Sequence, residues 1–321
     1  MMLLSALKSI PKPSKLRSFS VLAAPRANHS RRAIFYVPGS DERKLASSLK
    51  AKPDTFIYDL EDSVALSCKG TARQMVFSAL ESFDVGHSEK AVRINSVGSG
   101  LELDDLNVIL RSKNLQTILI PKVNSVRDIH AISSLIDSIA PPSTRENIRI
   151  MASIESALGL LNIREIASSD PRIDALVFAA EDYIADLSLI RTPSRLEMLH
   201  ARQTVVTTAC AYGIQSIDLV CVDFQNENVL IDECIEGRQF GFTGKQAIHP
   251  KQIQTIHKFF SPSASDIEKA TRIVEGFEQN KRAGIGAFNI DGKMIDAPVV
   301  KWAQQLLAKS AAMAEIDKKA D

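Results

Sequence analysis

The sequence is poor in cysteine and in the histidine patterns that bind transition metals. Its four cysteines, Cys68, Cys210, Cys221 and Cys234, have no CxxC spacing and lie in apolar or helical segments. The six histidines form no HExxH motif and no other paired spacing. These absences argue against a zinc finger or a zinc enzyme, and they predict buried free thiols in a reducing compartment.

Long apolar runs, a charge excess and glycine-rich phosphate loops are also missing. No window approaches the roughly 20 apolar residues of a membrane span, so a membrane is not an expected partner. The net charge is only +1, whereas binding a nucleic-acid backbone needs a concentrated excess of lysine and arginine. Neither GxGxxG nor a P-loop motif occurs, which argues against an open nucleotide-binding sheet. The composition, 45% hydrophobic and 24% charged over 321 residues, is typical of a globular chain with a sizeable core.

The first 32 residues contain no acidic residue and differ in composition from the rest of the chain. They hold seven lysines and arginines, the last two being Arg31 and Arg32, together with six serines, and the first acid is Asp41. This composition predicts a mitochondrial or plastid transit peptide over residues 1–32, disordered or removed. Composition does not choose between the two organelles; the mitochondrial matrix is the expected location. A basic disordered tail remains the alternative.

From residue 33 onward, short apolar segments alternate with segments of helical period. The strand candidates are AIFYVPG (33–39), DTFIYDLED (54–62), KAVRINS (90–96), TILIPKV (117–123), IRIMASIES (148–156), ALVFAAEDY (175–183), IQSIDLVCVDF (214–224) and KQAIHP (245–250). Amphipathic segments lie between them at 41–50, 71–83, 126–139, 159–167, 195–212 and 226–240. Eight strand candidates alternating with helical segments predict an α/β fold, a closed (β/α)₈ TIM barrel over residues 33–262, with a C-terminal extension over 263–321.

Polar and charged residues follow the apolar part of these strands. They are Asp59, Glu61, Asp62, Arg93, Asn95, Lys122, Glu155, Glu181, Asp182, Asp218 and Asp223. Because all strand carboxyl ends of a barrel open on one face, these side chains are expected to converge. Carboxylates without a histidine or cysteine cluster suit Mg²⁺, and Glu155 and Asp182, after strands five and six, are placed to bind it. Asp59 and Asp218 lie deeper in their strands and are predicted to be paired structural groups.

The segment GAFNIDGKMIDAPVV (286–300) carries two aspartates among turn-forming and small apolar residues. Asp291 precedes Gly292, and Asp296 stands two residues before Pro298. Local chemistry predicts a β-turn at Asp291-Gly292 and a helix N-cap at Asp296.

Several short sequence motifs resemble those of one enzyme family, and they are spread over nearly the whole chain after residue 32. They are YVPGSDERK (36–44), DLEDSV (59–64), VRINS (92–96), IPKVNS (120–125), IESALGLLN (154–162), AAEDY (179–183), ARQ (201–203), GFTGKQAIHP (241–250) and GAFNIDGKMIDAPVV (286–300). Taken in this order, the segments resemble the citrate lyase beta-like family of the HpcH/HpaI aldolase superfamily. Members of that family are Mg²⁺-dependent lyases that act on CoA thioesters. Asn124 stands where glutamate is usual, and Ser63 where small residues are common; neither is an expected ligand.

The resemblance implies a carbon–carbon lyase that cleaves (3S)-citramalyl-CoA to acetyl-CoA and pyruvate, with malate synthase, malyl-CoA lyase or thioesterase side activity. Two alternatives remain open: an Mg²⁺-dependent aldolase of free 2-oxo acids without CoA, and a non-catalytic citrate-lyase-like subunit. The sequence does not rank citramalyl-CoA against malyl-CoA, because one methyl group in an apolar pocket is worth only about 1–3 kcal/mol. It also leaves open whether cleavage or synthesis is the cellular direction.

The resemblance further implies a role for particular residues. Arg93 would bind the substrate carboxylate or the thioester enolate oxygen, while Glu61 and Asp62 would accept hydrogen bonds from water around the metal. The substrate and CoA path would be lined by Tyr36, Val37, Pro38, Gly39, Ser40, Asp41, Glu42, Arg43, Gln246 and Ala247. Asp296 would be the acid–base group, which the C-terminal extension carries to the barrel mouth of a neighbouring subunit in a homotrimer.

Overall fold

Eight parallel strands close into a barrel in the computed structural model, which describes residues 30–282 and 287–320. The strands are β1 (Ala33–Pro38), β2 (Thr55–Asp59), β3 (Glu89–Arg93), β4 (Thr117–Ile120), β5 (Arg149–Ile154), β6 (Ile173–Phe178), β7 (Gln215–Asp218) and β8 (Gly244–Ala247). Each strand pairs with the next one in sequence, and β1 pairs with β8, where Ile34 lies opposite Gln246. The predicted (β/α)₈ barrel is therefore confirmed.

Helices surround the barrel and cover the outer face of its strands. They are α1 (Glu42–Ser48), α2 (Lys69–Ser82), α3 (Glu102–Ile109), α4 (Val126–Ile139), α5 (Ala157–Leu161), α6 (Ile163–Ser168), α7 (Ala180–Asp186), α8 (Leu199–Tyr212), α9 (Glu227–Phe240) and α10 (Gln252–Phe260). Strand residues alternate between two apolar layers, so that Ile34 points into the barrel and Phe35 packs against the helices.

The predicted sixth strand is shorter than the sequence pattern indicates. β6 ends at Phe178 and α7 begins at Ala180, so Glu181 and Asp182 lie in the first turn of a helix. Acidic side chains are favourable there because the helix N-terminus carries partial positive charge. The prediction that these acids end a strand is wrong, although they remain on the same face of the barrel, where they line a cavity.

Two arginines are buried just before β1, at the amino-terminal end of the barrel. The Arg31 guanidinium donates to Glu89 at 2.6 Å and to Asp174 at 2.8 Å, and all three side chains are inaccessible or nearly so. Arg32 donates to Asp54 at 2.9 Å. The composition assigns both arginines to the presequence, whereas the structure includes them in the folded barrel; residues 1–29 lie outside the described part.

The cysteines are all free, but only Cys221 and Cys234 are buried. Cys68 and Cys210 are exposed, so the prediction of buried thiols is wrong for these two. An apolar sequence neighbourhood does not fix which face of a helix a residue occupies, and Cys210 lies on the exposed face of α8. Within the described ranges, no helix is long and apolar enough to cross a membrane.

A helix, a hairpin and a second helix follow the barrel. They are α11 (Ala264–Arg282), β9 (Phe288–Ile290), β10 (Lys293–Ile295) and α12 (Ala297–Ala320). Their own apolar cluster includes Ile273 and Val300. The hairpin turns at Asp291 and Gly292, whose φ angles of 51° and 77° are both left-handed, as an Asp-Gly turn between antiparallel strands requires. The turn predicted from Asp291-Gly292 is confirmed.

Candidate active site

The carboxyl ends of the strands surround a cavity of about 430 Å³. Its lining consists of Tyr36, Pro38, Asp59, Asp62, Ser63, Arg93, Ala179, Ala180, Glu181, Asp182, Val220, Gln246 and Ile248. Residues far apart in sequence therefore meet at the barrel mouth, because parallel strands deliver their ends to one face. This is the face that the strand-end acids predict.

Arg93 ends β3 and is held by the buried carboxylate of Asp59 at the end of β2. Its Nε lies 2.6 Å from Asp59 Oδ1 and its Nη2 lies 2.7 Å from Oδ2, a bidentate geometry. The Tyr36 ring stacks against the guanidinium with 5.0 Å to the ring centroid. Burial is the largest influence and would raise the pKa of Asp59, but the Arg93 charge and the hydrogen bonds from Arg93, Ser63 and Glu61 together outweigh burial and lower that pKa. Asp59 is thus the paired group that its strand position predicts, and it fixes the orientation of Arg93.

Glu61 lies between two cations at the mouth. Its Oε1 accepts from Lys122 Nζ at 2.8 Å, and its Oε2 lies 3.0 Å from Arg93 Nη1 without forming a hydrogen bond of good geometry. Burial, supported by the neighbouring charges of Asp62 and Glu155, raises the pKa of Glu61 to about 7 even though Arg93 and Lys122 oppose the shift. The side chain can therefore exchange a proton near neutral pH.

Glu155 and Asp182 are the two carboxylates that the sequence predicts to bind a metal. Glu155 follows β5 and is 3% exposed, and its Oε2 has no hydrogen-bond partner within the described chain. Burial first, and the nearby charge of Asp182 in addition, raise the pKa of Glu155, while the Ser153 hydroxyl and the Lys122 backbone N–H oppose the rise.

A buried carboxylate oxygen without a hydrogen-bond partner, close enough to Asp182 for that charge to raise its pKa, fits a hard divalent cation, because burying such a group without a partner is costly. Over the ranges that the structure describes, no group of three histidine, cysteine or acidic side chains could hold a metal ion. Any ion at this mouth would therefore be held by the two carboxylates together with water and substrate oxygens, which is how Mg²⁺ commonly binds.

The loop after β1 forms one wall of the mouth and leads into a second cavity. Gly39 has no space for a side chain, because a Cβ there would lie 2.6 Å from the Asp59 carbonyl oxygen. The second cavity measures about 650 Å³ and is lined by Pro38, Ser40, Asp41, Glu42, Arg43, Lys44 and Ser63. Asp41 also caps α1 by accepting from the Lys44 N–H at 3.0 Å. Both cavities are lined by Pro38 and Ser63, so they lie next to each other along this wall.

Every second residue of β1 and β8 faces the mouth, among those predicted to line the substrate and CoA path. The Tyr36 hydroxyl donates to Gln246 Oε1 at 2.9 Å, and both side chains line the first cavity. Gln246 Nε2 in turn donates to the carbonyl oxygens of Phe178 and Asp218. Val37 and Ala247 are buried in the outer apolar layer, so their side chains do not reach the cavity.

Two supporting residues carry no assigned role in the sequence prediction. Lys69 is buried on α2, and its Nζ donates at 2.7 Å to the carbonyl oxygens of Leu60 and Glu61 and to Asn95 Oδ1. Lys122 bonds Glu61 with its side chain, as described above. Lys122 belongs to the strand-end polar residues and could have been singled out, whereas nothing in the sequence around Lys69 marks it.

Asp296 stands before α12, in the C-terminal extension. Its Oδ1 accepts from the Val299 N–H at 3.4 Å and its carbonyl accepts from the Val300 N–H at 3.1 Å, so it occupies the predicted cap position. The side chain is half-buried, and Asp296 is not among the described residues that line the cavity of its own chain. Asp291 instead pairs with Arg272 at 2.8 Å on the surface.

A further cavity of about 640 Å³ lies beside α1, lined in part by Asp223, Phe224, Glu227 and Lys251. Its acids already have partners: Asp223 accepts from the Asn226 N–H in the same loop, and Glu227 on α9 accepts from the Thr255 hydroxyl on α10. The smaller mouth cavity is the candidate site, because Arg93, Asp62 and Asp182 line it.

The chain is similar to several known proteins. The HpcH/HpaI aldolase/citrate lyase family matches residues 32–250. The mitochondrial citramalyl-CoA lyase of Rattus norvegicus is 36% identical over 302 residues, 90% of this chain and 89% of that protein. The citrate lyase subunit beta of Haemophilus influenzae is 36% identical over 282 residues, 87% of this chain and 97% of that protein. The structure of CitE from Mycobacterium tuberculosis with magnesium, acetoacetate and coenzyme A is 28% identical, with a TM-score of 0.73 and coverage of 89% of this chain and 99% of that one.

Proposed function

Because the chain belongs to the HpcH/HpaI aldolase/citrate lyase family, we propose that it is an Mg²⁺-dependent carbon–carbon lyase that cleaves (3S)-citramalyl-CoA to acetyl-CoA and pyruvate. The observation that supports this most is the buried Glu155 with its unpartnered oxygen, which shares the barrel mouth with Asp182 and the oriented Arg93. The two carboxylates provide a metal site, and the guanidinium provides a fixed positive charge next to it.

Glu155 and Asp182 would hold the ion, and Glu61 and Asp62 would accept hydrogen bonds from the water around it. Bound there, Mg²⁺ supplies Lewis-acid polarisation of the substrate carboxylate and the oxygen beside it. The CitE structure from Mycobacterium tuberculosis contains magnesium together with coenzyme A, which supports both the ion and the class of substrate.

Arg93 would stabilise the charge that cleavage creates. The 3-hydroxyl loses its proton to water at the mouth, the electron pair of the O–H bond forms the carbonyl of pyruvate, and the bond between the α- and β-carbons breaks. The electrons of that bond pass to acetyl-CoA as a thioester enolate. A guanidinium already oriented by Asp59 can stabilise the enolate oxygen without reorganising during the reaction.

Asp296 would return a proton to the α-carbon of that enolate and so complete acetyl-CoA. Because Asp296 is not among the described lining residues of its own mouth cavity, we place it in the mouth of a neighbouring subunit. The proposal therefore includes a homotrimer, in which the C-terminal extension of one subunit completes the site of the next.

The second cavity, beside Arg43 and Lys44, would receive the CoA part of the substrate, where two cations meet its phosphates. The relative in Rattus norvegicus is mitochondrial by name, and the first 32 residues are basic and free of acids. We therefore propose the mitochondrial matrix as the site of action, with malyl-CoA cleavage, malate synthesis and thioester hydrolysis as side reactions.

An assay of the purified protein with a panel of 3-hydroxyacyl-CoA esters and the matching free acids, with and without Mg²⁺, tests this function. Release of both acetyl-CoA and a 2-oxo acid from esters alone is expected. Cleavage of the free acids would favour the CoA-independent aldolase, release of free CoA alone would favour a thioesterase, and no turnover would favour a non-catalytic citrate-lyase-like subunit.

A further inference from the structure

Arg191 lies in the segment between α7 and α8 and bridges two residues that line the mouth cavity. Its Nη1 pairs with the Glu181 carboxylate in the first turn of α7, and its Nη2 donates to the Val220 carbonyl oxygen at 3.1 Å. Glu181 follows β6 and Val220 follows β7, and both residues line the mouth cavity. The guanidinium therefore spans the carboxyl ends of two neighbouring strands of the barrel.

Buried charges of the barrel hold the Arg191 guanidinium in place. Its Nη2 also donates to Glu233 Oε1 on α9 at 2.7 Å, and Glu233 Oε2 accepts from Lys245 Nζ on β8 at 2.9 Å. The side chains of Glu233 and Lys245 are 3% and 0% exposed. Displacing the guanidinium would leave the buried Glu233 carboxylate with one partner fewer, which is costly. Arg191 is therefore a fixed point beside the mouth.

The first turn of α7 has no side-chain cap. The helix spans seven residues, Ala180–Asp186, and its N-cap residue is Ala179, which has no side-chain oxygen that could accept from the first N–H groups. A helix this short is unstable in water without tertiary contacts. The ion pair between Glu181 and Arg191 provides such a contact at the end where the helix begins.

Asp182 depends on this first turn for its position. It is the next residue after Glu181 and lines the same cavity. In the part of the chain that the structure describes, no hydrogen bond holds the Asp182 carboxylate, which interacts with Lys122 and Glu155 only through its charge. The separation of Asp182 from Glu155 is therefore set by the backbone of α7.

We infer that Arg191 is a positioning residue for the proposed metal site, because by anchoring Glu181 it sets how far Asp182 lies from the second carboxylate. This inference rests on the proposed function, in which that pair of carboxylates holds the ion. The charge of Arg191 alone would act the other way, since a cation near a metal ion repels it and weakens binding. The sign of the change in metal affinity therefore distinguishes positioning from simple charge.

The test is the affinity of the full chain for Mn²⁺, measured by electron paramagnetic resonance of the free and bound ion. Arg191→Met should weaken Mn²⁺ binding by about 10–100-fold, the usual range for residues that orient a metal ligand. Arg191→Lys keeps the cation and should recover most of that loss. Glu181→Ala removes the other half of the ion pair and should also weaken binding. The two fold-changes should not multiply in the double variant, because both substitutions remove one interaction.

Arg195→Met is the matched control. Arg195 belongs to the same segment, is 13% exposed and donates to Glu236 at 2.7 Å, and Glu236 is not among the described residues that line the mouth cavity. The control removes the same charge and should leave Mn²⁺ affinity at the wild-type value. Weakening in Arg195→Met equal to that in Arg191→Met would show a general effect of destabilisation and would overturn the inference.

The remaining outcomes separate this inference from the metal site itself. Unchanged or tighter binding in Arg191→Met, or fold-changes that multiply in the double variant, would overturn the role of Arg191 and leave the metal site standing. Glu181 is half-exposed, so Glu181→Ala is expected to fold even if Arg191→Met does not, and wild-type affinity in Glu181→Ala would equally overturn the inference. No Mn²⁺ bound to wild type would overturn both the metal site and this inference.

Discussion

Arg93 and Asp59 form a bidentate ion pair at the mouth of the barrel, with nitrogen–oxygen distances of 2.6 Å and 2.7 Å. Asp59 also accepts from the backbone N–H groups of Glu61 and Ser63. It thereby ties the guanidinium of β3 to the turn that follows β2. The orientation of the proposed catalytic cation is thus set by a buried carboxylate that does not itself need to contact substrate.

Asp59→Asn should destabilise the fold and disable the site. The change removes the bidentate partner of the largely buried Arg93 and leaves the contacts of its Nη1 with Glu61 at 3.0 Å and Asp62 at 3.7 Å. Removing one partner of a buried pair costs about 3–5 kcal/mol. We expect a loss near the lower limit, since asparagine keeps one acceptor oxygen. Displacement of Arg93 should lower kcat/KM by about 100-fold. Urea unfolding and steady-state kinetics measure both effects. Asp232→Asn, at an exposed position on α9 and not among the residues that line the mouth cavity, is the control, and equal losses in the two variants would contradict the role of Asp59.

Asp296→Asn should abolish turnover and leave the fold intact. Asparagine caps helices as well as aspartate does, whereas it cannot donate the proton, a contribution worth about 10²–10⁴-fold in rate. Asp291→Asn is a matched control from the same segment, because asparagine also tolerates the left-handed turn. Circular dichroism and kcat distinguish the effects. A wild-type kcat in Asp296→Asn would remove this residue from the reaction.

Mixing two inactive variants tests delivery across subunits. Asp296→Asn supplies an intact mouth, and Glu155→Gln supplies an intact extension but a damaged mouth. If one subunit completes the site of the next, mixed oligomers formed by refolding the two together should recover part of the wild-type activity. Activity of the mixture above that of either variant by itself supports delivery of Asp296 across the subunit boundary. If the mixture stays as inactive as its components, Asp296 acts within its own chain or not at all.

Mg²⁺ affinity should rise as the pH increases through about 7, the raised pKa of Glu61. Below that pH Glu61 is protonated and cannot attract the ion, and Glu155, whose pKa is also raised, adds to the effect. The same raised pKa means that metal-free protein is more stable when Glu61 is protonated and loses that stability as the pH rises. Isothermal titration at several pH values measures the affinity. Glu61→Gln should flatten the profile; a profile as steep as that of wild type would exclude Glu61.

Arg31→Met should destabilise the barrel strongly even though Arg31 is far along the chain from the mouth residues. The substitution leaves Glu89 and Asp174 buried without their partner, at a cost of about 3–5 kcal/mol. Arg272→Met breaks an exposed pair with Asp291 and should cost less than about 1 kcal/mol. Chemical denaturation of the two variants gives the comparison. Similar midpoints would show that the buried arginine is not a stabilising element.

Strand alternation and strand-end chemistry made most of the barrel predictable. α4, with the bounds Val126–Ile139, coincides with its amphipathic segment, because a period of 3.6 residues is a local property. α3 was not predicted, since its acidic first turn resembles a solvated loop. The sixth strand was predicted too long because AAEDY continues an apolar run into the first turn of a helix.

Contacts between distant segments could not be predicted from the sequence. Arg31 belongs by composition to a basic leader, and only the fold brings it to Glu89 and Asp174. The left-handed backbone conformation of Lys122 likewise could not be predicted from the segment IPKV. The Asp59–Arg93 pair was anticipated in kind, because a charge deep in a strand needs a partner, but the identity of that partner depends on which strands are neighbours.

The most direct test of the proposed activity is to incubate the purified protein with (3S)-citramalyl-CoA and to quantify acetyl-CoA and pyruvate over time, with Mg²⁺ and after chelation by EDTA. We expect equal amounts of the two products with Mg²⁺, none after chelation, and full recovery when Mg²⁺ is restored. Formation of free CoA without pyruvate, or undiminished cleavage in EDTA, would contradict an Mg²⁺-dependent carbon–carbon lyase.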